Sequence, residues 1–416
     1  MTQEQKIFPY IARLLQGAEV VWKPLEEIAT FRRGSFPQPY TKSEWYGGDN
    51  SMPFVQVADM EDNKFNLVSI TKQRISQLAM PKSVFVPEGT ILVSLQGTIG
   101  RVAITQYDSY VDRTIAIFTH IDNEVDIRYF AYQLKRIFGI KKENARGSTI
   151  KTITKEEFGT FQIPLPPLSV QQEIVRILDK FTQLEAELEA ELDCRKRQYE
   201  YYRNNLLSYE GNEVEWKTLG EVGTFYGGLT GKNKSDFENG NASYITYKNI
   251  FDNIEINFDR LEKVKISPTE KQNKVKYGDI LFTGSSETAE EAGMSSVITT
   301  TTEEDIYLNS FSFGIRFNKD IKLLPTFSKH LFRSHSIRIA ISKTASGVTR
   351  FNISKERLKK IYIPLPPLEE QQRIASILNK FDTLVNSISE GLPKEIALRR
   401  KQYEYYREKL LSFPKE

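Results

Sequence analysis

Residues Ile163–Leu168 read Ile-Pro-Leu-Pro-Pro-Leu, and the same six residues recur 200 positions later at Ile363–Leu368. A second shared sequence, Gln-Tyr-Glu-Tyr-Tyr-Arg, begins at Gln198 and again 204 positions later at Gln402. Recurrence at a fixed long period indicates a duplicated structural unit. The segments between these markers match poorly. We therefore expect two-fold recognition, in which each half of the chain reads one half of a bipartite target.

Size and composition restrict the class of protein. A chain of 416 residues can form two or three domains, each with its own core. The longest apolar runs, such as Ile91–Leu95, have the length of strands, so no membrane span is expected. The first fifteen residues lack the pattern of a secretory signal. A single cysteine, Cys194, excludes an intrachain disulfide framework and a cysteine-based zinc site. We expect a cytoplasmic protein.

Basic residues are clustered at equivalent places in the two halves, although the net charge is only +3. Their recurrence favours a polyanionic partner, whereas either cluster alone could be a solvated helix face. The first cluster comprises Lys135, Arg136, Lys141, Lys142, Arg146 and Lys151, and the second comprises Lys329, Arg333, Arg338, Lys343, Arg350 and Lys355.

The chain is predicted to contain five segments. Residues 1–17 form an N-terminal helix that completes the repeat, 18–167 a first variable domain, 168–209 a helical region, 210–367 a second variable domain, and 368–416 a second helical region. Strand-like runs broken by glycine and proline, with a helix late in each variable domain, predict an α+β fold. The late helices are expected over Ile127–Lys142 and Phe327–Lys343.

Apolar residues at spacings of three or four follow each proline-rich marker, for example Ile174, Ile177 and Phe181. This period predicts amphipathic helices, the first about 60 Å long and ending near Ser208. The second copy contains four extra residues that include Gly391 and Pro393, so we expect a break there. Two such helices could pair antiparallel as a rigid spacer between the variable domains. The alternative is a buried bundle unrelated to DNA.

Tyrosines near the end of each long helix occupy more than one helix face. We expect some of them to contact a partner protein, because tyrosine is enriched at interfaces. The predicted docking residues are Tyr199, Tyr202, Tyr403 and Tyr406.

Catalytic patterns are missing. The sequence contains no Asn/Asp-Pro-Pro-Tyr/Phe segment of an amino-methyltransferase and no Gly-x-Gly-x-x-Gly after a strand. Residues Gly228–Asn233 contain two glycines and a lysine, but their spacing differs from that of a phosphate-binding loop. The three histidines are widely scattered. We therefore expect a non-catalytic protein that binds no metal or cofactor itself.

Polar loops recur at three equivalent places in the two variable domains. Arginine, glutamine and asparagine can read guanine and adenine edges, while serine, threonine and lysine suit phosphates. Each loop alone could be an ordinary turn, and their recurrence favours DNA binding. The predicted DNA contacts are Arg32, Arg33, Ser35, Gln96, Thr98, Arg101, Arg113, Arg146, Ser148, Thr149 and Lys151 in the first half, and Tyr226, Lys232, Asn233, Lys248, Ser285, Ser286, Ser346, Thr349, Arg350 and Asn352 in the second.

Taken in order, five segments resemble the DNA-specificity subunits of type I restriction–modification systems. They are Trp22–Phe31, Leu92–Ile104, Gly147–Ile153, Ile163–Ile174 and Arg195–Arg203. The resemblance implies two target-recognition domains, built of helices and sheet, joined by two long antiparallel helices in a pseudo-two-fold repeat. Each domain would read one half of an asymmetric double-stranded DNA site, and the helices would set the spacer.

The resemblance also implies partners that supply the chemistry. Two modification subunits would dock on the helices and bring S-adenosylmethionine and adenine methylation by base flipping. Restriction subunits would bring ATP and Mg²⁺. Two departures are visible: Val170 stands where the second repeat has Glu370, and the second half is rebuilt around Ser285, Ser286 and Glu287. The first departure limits any contacts of that glutamate to the second repeat, and the second fits different half-site preferences.

Two rival functions remain open at the level of sequence. One is the specificity subunit of a related type II-like system that cuts on both sides of its site. The other is an enzyme, for instance a fused methyltransferase, against which the missing catalytic and cofactor patterns argue.

Overall fold

The computed structural model describes residues 7–61, 65–144, 153–209 and 214–414. The chain divides into two compact units. Unit 1 comprises Met1–Glu187 and Ala397–Glu416, and unit 2 comprises Leu188–Ile396. The two predicted helical regions, 168–209 and 368–416, are thus each divided between the units.

Within its described residues, unit 1 contains ten strands and five helices that begin in it, the last of which continues into unit 2, and it also contains the end of a helix that begins in unit 2. In chain order they are α1 (Pro9–Leu15), β1 (Val21–Pro24), α2 (Leu25–Ile28), β2 (Ala29–Arg33), β3 (Met52–Val55), β4 (Gln73–Ile75), β5 (Val84–Val86), β6 (Ile91–Ser94), β7 (Val102–Ile104), β8 (Ser109–Val111), β9 (Ile115–Ile121), α3 (Ile127–Asn144), α4 (Lys155–Gly159), β10 (Gln162–Leu165) and α5 (Leu168–Leu206).

Unit 2 repeats this order with additions, and its last helix ends in unit 1. The elements are β11 (Glu215–Thr218), α6 (Leu219–Val222), β12 (Gly223–Gly227), β13 (Ala242–Ile245), α7 (Tyr247–Asp252), β14 (Glu262–Val264), β15 (Ile280–Thr283), β16 (Ser285–Ser286), β17 (Ser295–Val297), β18 (Ile306–Leu308), β19 (Ser312–Phe317), α8 (Pro325–Leu331), α9 (His335–Ser342), β20 (Ala345–Ser346), β21 (Phe351–Ile353), α10 (Lys355–Leu358), β22 (Tyr362–Leu365), α11 (Leu368–Asn386) and α12 (Gly391–Leu411).

Each unit contains small, mostly antiparallel sheets. Unit 1 has four-stranded sheets in the orders β2-β9-β6-β7 and β4-β3-β8-β5. Unit 2 has β12-β19-β15-β17 and two three-stranded sheets, β14-β13-β18 and β16-β21-β20. The parallel pairs are β3 with β8 and β13 with β18. Helices packed on such sheets confirm the predicted α+β fold.

The repeated sequence markers pair with each other inside each unit. β1 pairs antiparallel with β10, which places Trp22 opposite Pro164. β11 pairs with β22 in the same register, which places Trp216 opposite Pro364. The Trp-Lys motif and the proline-rich motif are therefore the two strands of one ribbon that closes each variable domain.

The glutamine after each proline-rich marker joins this ribbon to the late helix. Buried Gln171 donates from Nε2 to the carbonyl oxygens of Glu124 and Pro166, at 2.9 and 2.8 Å. Its Oε1 accepts from the backbone N–H of Asp126 at 2.9 Å. A buried amide is stabilising only when it is hydrogen-bonded, which this arrangement achieves.

Gln371 makes the same three contacts in unit 2. Its Nε2 donates to Lys322 and Pro366, and its Oε1 accepts from Leu324. The repeated glutamine is therefore a structural joint.

The long helices pack through a repeated aromatic contact. In unit 1 the ring of Phe181 stacks on that of Tyr406, with 5.5 Å between centroids, and Arg400 pairs with Glu185 at 2.5 Å. As the numbers rise along α5 they fall along α12, so the two helices are antiparallel there. In unit 2 Phe381 stacks on Tyr202 at 5.4 Å. The predicted antiparallel helices are confirmed.

Helix boundaries differ from prediction in two places. The second long helix breaks at residues 387–390, and Gly391 and Pro393 belong to the first turn of α12. Gly391 has φ +75°, and a Cβ there would clash with the carbonyl oxygen of Thr383. The late helix of unit 2 is divided into α8 and α9, where Ser334 donates its hydroxyl to the Leu331 carbonyl at 2.7 Å. A local side-chain bond of this kind competes with helix continuation.

Candidate nucleic-acid interface

A polar cavity of about 620 Å³ opens in unit 1 beside the turns β6–β7 and β8–β9. It brings together four of the predicted DNA contacts, Gln96, Thr98, Arg101 and Arg113. The full lining is Tyr40, Gln56, Val57, Ala58, Gln96, Gly97, Thr98, Arg101, Asp112, Arg113 and Thr114.

A buried carboxylate organises the wall of the unit 1 cavity. Asp112 accepts hydrogen bonds from the Tyr40 hydroxyl at 2.6 Å and from the backbone N–H and the hydroxyl of Thr114 at 2.9 and 2.5 Å. Burial and the hydrogen bond to Asp112 raise the pKa of Tyr40. The guanidinium of exposed Arg113 lies over the Tyr40 ring, 5.4 Å from its centroid. The arrangement presents a cation on a fixed aromatic support.

Arg101 lines this cavity but has an internal role. Its Nη1 donates to the carbonyl oxygens of Val57 and Met60, at 2.9 and 3.0 Å. These bonds hold the turn after β3. Nη1 of Arg101 therefore has a positioning role, and a contact of this guanidinium with a base or phosphate stays a prediction.

A second cavity, of about 460 Å³, opens at the equivalent turn of unit 2. It brings together the predicted contacts Ser285, Ser286, Thr349 and Arg350. The full lining is Tyr247, Phe251, Ser285, Ser286, Glu287, Glu291, Thr349 and Arg350.

Hydrogen bonds fix the walls of the unit 2 cavity. The rings of Tyr247 and Phe251 stack at 5.9 Å, and the Tyr247 hydroxyl donates to the Ser285 carbonyl at 2.8 Å. Arg350 donates from Nε to the Ser285 hydroxyl at 3.0 Å, and Ser286 donates to Glu291 at 3.2 Å. An aromatic floor with a polar rim can accommodate a nucleobase edge.

Two half-buried arginines, Arg333 and Arg338, support these walls. Arg333 donates from Nη2 to the last carbonyls of α7, those of Ile250 and Phe251, each at 3.0 Å. Burial lowers the pKa of Arg333 to about 9 and that of Arg338 to about 10. Lys329 is also buried, paired with Glu255 at 3.0 Å. Three of the six residues of the second basic cluster are therefore used internally, so the polyanion surface predicted for it is wrong for these three, while Lys343, Arg350 and Lys355 are exposed.

Three predicted contacts of unit 2 have structural roles. The Tyr226 hydroxyl donates to Asp279 at 2.6 Å, beneath the guanidinium of Arg316. Lys232, with an 8 % exposed side chain, pairs with Glu270 at 2.6 Å. Asn233 caps the short helix Lys234–Phe237 by accepting from the Ser235 N–H. Tyr226 and Lys232 therefore have internal partners for their polar groups, whereas Asn233 is exposed and uses its side-chain oxygen as a cap. DNA contact at these three positions stays a prediction.

The loop after β2 lies outside the unit 1 cavity lining. Arg33 donates to the Ile153 carbonyl at 3.2 Å, Ser35 donates to that of Lys82 at 2.9 Å, and Arg32 is exposed on β2. A side chain at Gly34 would clash with the Val111 carbonyl, so this glycine serves strand packing.

The remaining predicted contacts are exposed or undescribed. Lys248 is exposed on α7, and Ser346 and Asn352 are exposed and paired across β20 and β21. The predicted residues Arg146, Ser148, Thr149 and Lys151 lie outside the described residues.

The four predicted docking tyrosines belong mainly to the helix packing. Tyr199 is 5 % exposed, and its hydroxyl lies 3.1 Å from Nδ1 of His330. Tyr403 and Tyr406 are half-buried, and Tyr202 stacks on Phe381 while remaining 38 % exposed. Burial excludes Tyr199 from a docking surface, and that prediction is wrong.

The most exposed tyrosines of the repeated motif are ones that the predicted docking set left out. They are Tyr201, at 63 %, and Tyr405, at 54 %. Helical spacing was the available signal, because the Tyr199 and Tyr202 rings share the packed face and Tyr201 then lies off it.

Other cavity residues had no usable signal in the sequence. Tyr40 lies in the loop after β2, Gln56 directly follows β3, and Tyr247 begins α7, which follows β13. In the part of the chain that the structure describes, no group of three His, Cys, Asp or Glu side chains is placed to hold a metal ion. Among the same residues no helix is both long and apolar enough to cross a lipid bilayer.

Two homologous units with differently lined polar cavities define a duplicated recognition protein. The family described as "Type I restriction modification DNA specificity domain" matches residues 19–193 and 212–398. The Type I restriction enzyme EcoR124I/EcoR124II specificity subunit of Escherichia coli is 34% identical over 98% of this chain and 97% of that protein. The chain belongs to the family of type I restriction–modification DNA specificity subunits.

Further similarities agree with this assignment. A putative type I restriction enzyme specificity subunit of Haemophilus influenzae is 30% identical over 97% of this chain and 98% of its own length. A solved chain from a study of complex assembly and conformational transition of the type I R-M system superposes with a TM-score of 0.66, covering 95% of this chain and 98% of that chain. Its sequence identity is 16%, so it supports the fold.

Proposed function

We propose that each unit reads one half of a bipartite, asymmetric site in double-stranded DNA through its polar cavity. The observation that carries this proposal is that the two cavities lie at equivalent places in the two units but are lined by different residues. Both cavities open beside equivalent turns, yet one presents Gln96 and Arg113 and the other Glu287 and Arg350. Donor and acceptor groups of different kinds select different base edges.

The long helices are proposed to set the spacer between the half-sites. α5 contains 39 residues, far more than a single core requires. Adding four residues to a helix lengthens it by about 6 Å. Because the bases would be read by the units, a change of helix length should alter the spacer and leave the half-sites unchanged.

Two modification subunits are the proposed partners of the helices, with exposed Tyr201 and Tyr405 as anchors. These subunits would bring S-adenosylmethionine and the adenine methylation. Restriction subunits with ATP and Mg²⁺ would join this assembly. The chain itself is proposed to bind no cofactor and to catalyse no step.

Methylation-sensitive sequencing tests the main proposal. A host that expresses this chain with its neighbouring modification gene should carry N6-methyladenine in one split, asymmetric motif. The chain expressed alone should produce none. A continuous palindromic motif, or no motif with both genes present, would contradict the proposal.

Two altered chains test the separate roles of units and helices. Exchanging residues 210–367 for those of a relative should replace one half-site only. Inserting four helical residues between Gln172 and Gln198 should change the spacer alone, and the same insertion after Pro414 serves as the control. A changed half-site in the insertion variant would refute the spacer role.

A further inference from the structure

The unit 2 cavity is lined by two glutamates, Glu287 and Glu291. Among the described residues that line the unit 1 cavity, the acidic side chain is Asp112, which is buried and already accepts three hydrogen bonds. The two cavities thus differ in the acceptors that they offer. Unit 2 presents carboxylate where unit 1 presents the amides of Gln56 and Gln96.

The two glutamates of unit 2 are in different states. Glu291 accepts a hydrogen bond from the Ser286 hydroxyl at 3.2 Å, so it belongs to the wall. Glu287 is exposed, and within residues 214–414 its carboxylate makes no hydrogen bond or ion pair. Both of its carboxylate oxygens are therefore available to a ligand.

An unpaired carboxylate is unfavourable in a DNA-binding cavity unless it meets a donor. The phosphates of DNA repel it, and most bases present acceptors. In the major groove guanine offers two acceptors, thymine offers one, and adenine offers a donor beside an acceptor. Cytosine offers the N4 amino group without a neighbouring acceptor. A lone carboxylate is thus best matched to cytosine and is repelled by guanine.

Arg350, the cation in the same cavity, suits guanine, which is the base that pairs with cytosine. Arg350 uses Nε to bond the Ser285 hydroxyl at 3.0 Å. Its terminal amino groups make no hydrogen bond within the described residues of unit 2. Arginine donating to O6 and N7 of guanine is the most common specific contact of proteins with DNA.

The turn that carries Glu287 is held from inside the unit. Arg338 donates from Nη2 to the carbonyls of Glu290 and Ala292, at 2.6 and 3.0 Å, and from Nη1 to that of Gly293 at 2.5 Å. Because Arg338 already fixes its carbonyl groups, this turn would lose little conformational freedom when it binds a ligand, and this favours selectivity.

We propose that Glu287 and Arg350 together read one C·G base pair in the half-site of unit 2. Glu287 accepts from the cytosine N4 amino group, and Arg350 donates to the guanine. This inference rests on the proposed function, because it assumes that the unit 2 cavity faces DNA bases. It goes further in naming a base pair and the two side chains that select it.

The variant Glu287→Gln tests this assignment. Glutamine keeps an acceptor and adds a donor, which matches the N6 and N7 edge of adenine. We expect the preference of the variant for cytosine over adenine at one position to fall about tenfold, with the half-site of unit 1 unchanged. The measurement is the initial methylation rate of the assembled modification complex on duplexes that vary one base pair at a time.

A matched control removes the same charge three residues away. Glu290 is exposed on the same turn but outside the cavity lining, so Glu290→Gln should leave every preference unchanged. The half-site of unit 2 is identified as the one that changes when residues 210–367 are exchanged.

Different results would contradict the proposed function and the assignment of a C·G base pair. A wild-type complex that methylates no bipartite motif would contradict the proposed function. A bipartite motif whose unit 2 half lacks a C·G pair, or whose base preferences are the same in Glu287→Gln as in the wild type, would overturn the inference alone. An equal relaxation in Glu290→Gln would also overturn it.

Discussion

Unit 1 and unit 2 share the same internal contacts and differ in the residues that line their open cavities. Gln171 and Gln371 make the same three hydrogen bonds, and Phe181 and Phe381 stack on equivalent tyrosines. The cavity linings have no such correspondence. Internal joints demand fixed partners, because a buried amide without them costs free energy. A surface that reads a ligand has no such requirement and can vary with the target.

The agreement extends to one partly buried pair whose chemistry differs. In unit 1 the Tyr132 hydroxyl donates to Asp179 at 2.8 Å, and in unit 2 Nε2 of His330 lies 2.8 Å from Oδ1 of Asn379. Asp179 and Asn379 are 200 positions apart, as are the proline-rich markers. The scaffold therefore tolerates a different residue pair as long as the hydrogen bond is made.

Removing the repeated buried glutamine should produce the largest loss of stability. Gln171→Ala or Gln371→Ala leaves two carbonyls and one N–H unpaired, and each should lower the free energy of unfolding of its own unit by about 3 kcal/mol. Urea unfolding measures the lower free energy of unfolding, and hydrogen exchange shows in which unit it occurs. The adjacent, exposed Gln172 and Gln372 provide controls as alanine variants. Equal stability in the joint and control variants would show that these bonds contribute little.

His330, which pairs with Asn379, should make the stability of unit 2 depend on pH. Burial, together with the nearby positive charges of Lys329 and Arg203, lowers the pKa of His330 to about 4. The unfolded state binds this proton below about pH 6.5 and the folded state does not. The stability contribution is therefore complete above pH 6.5 and is lost as the pH falls toward 4, by about 2 kcal/mol at pH 5. Unfolding at pH 7.5 and 5 measures it.

His330→Gln serves as the comparison for this pH dependence. Glutamine does not titrate, so the variant should lose most of the difference between the two pH values. If the wild type and the variant weaken equally on acidification, His330 is not the group responsible.

The cavity cations should affect one half-site each. Arg113→Ala should lower discrimination in the unit 1 half-site about tenfold without changing the unit 2 half-site. Methylation rates on duplexes with single substitutions provide the measurement. Arg113→Lys keeps the charge but loses the planar fork, so a base contact predicts loss in both variants. Full recovery with lysine would indicate a phosphate contact instead.

The exposed tyrosines should have the smallest effect. Tyr201→Ala and Tyr405→Ala should each weaken binding of a modification subunit about fivefold while leaving unfolding unchanged. Titration calorimetry with the purified partner measures the affinity. Tyr406→Ala provides the contrast, because loss of its stacking on Phe181 should lower stability. Unchanged affinity in both exposed variants would place docking elsewhere on the helices.

Much of the fold could be predicted because its signals are local. The repeated markers, the alternation of strand runs with a late helix, and the helical period after each proline-rich motif all follow from neighbouring residues. The structure confirms the antiparallel helices and the break near Gly391. The cavity turns at Gln96 and Ser285 were also predicted, since glycine-bearing polar loops recurred at equivalent places.

The sequence does not reveal which polar side chains have partners inside the unit. Tyr226, Lys232 and Arg333 have side chains suited to DNA, and each has an internal hydrogen-bond or ion-pair partner. Residue type gives the donors and acceptors of a side chain, and it does not tell which of them are already used. The same limit applies to Tyr199, whose aromatic ring suits an interface and lies in the core.

By itself, the sequence determined that this protein is duplicated, which segments are joints, and where the variable loops fall. These properties depend on periodicity and on short-range backbone preferences, which are written in consecutive residues. Only the tertiary structure decided which polar groups remain open to a ligand. That outcome depends on contacts between residues far apart in the chain, such as Arg338 with the carbonyls around Ala292, and it separates Glu287 from its partnered neighbour Glu291.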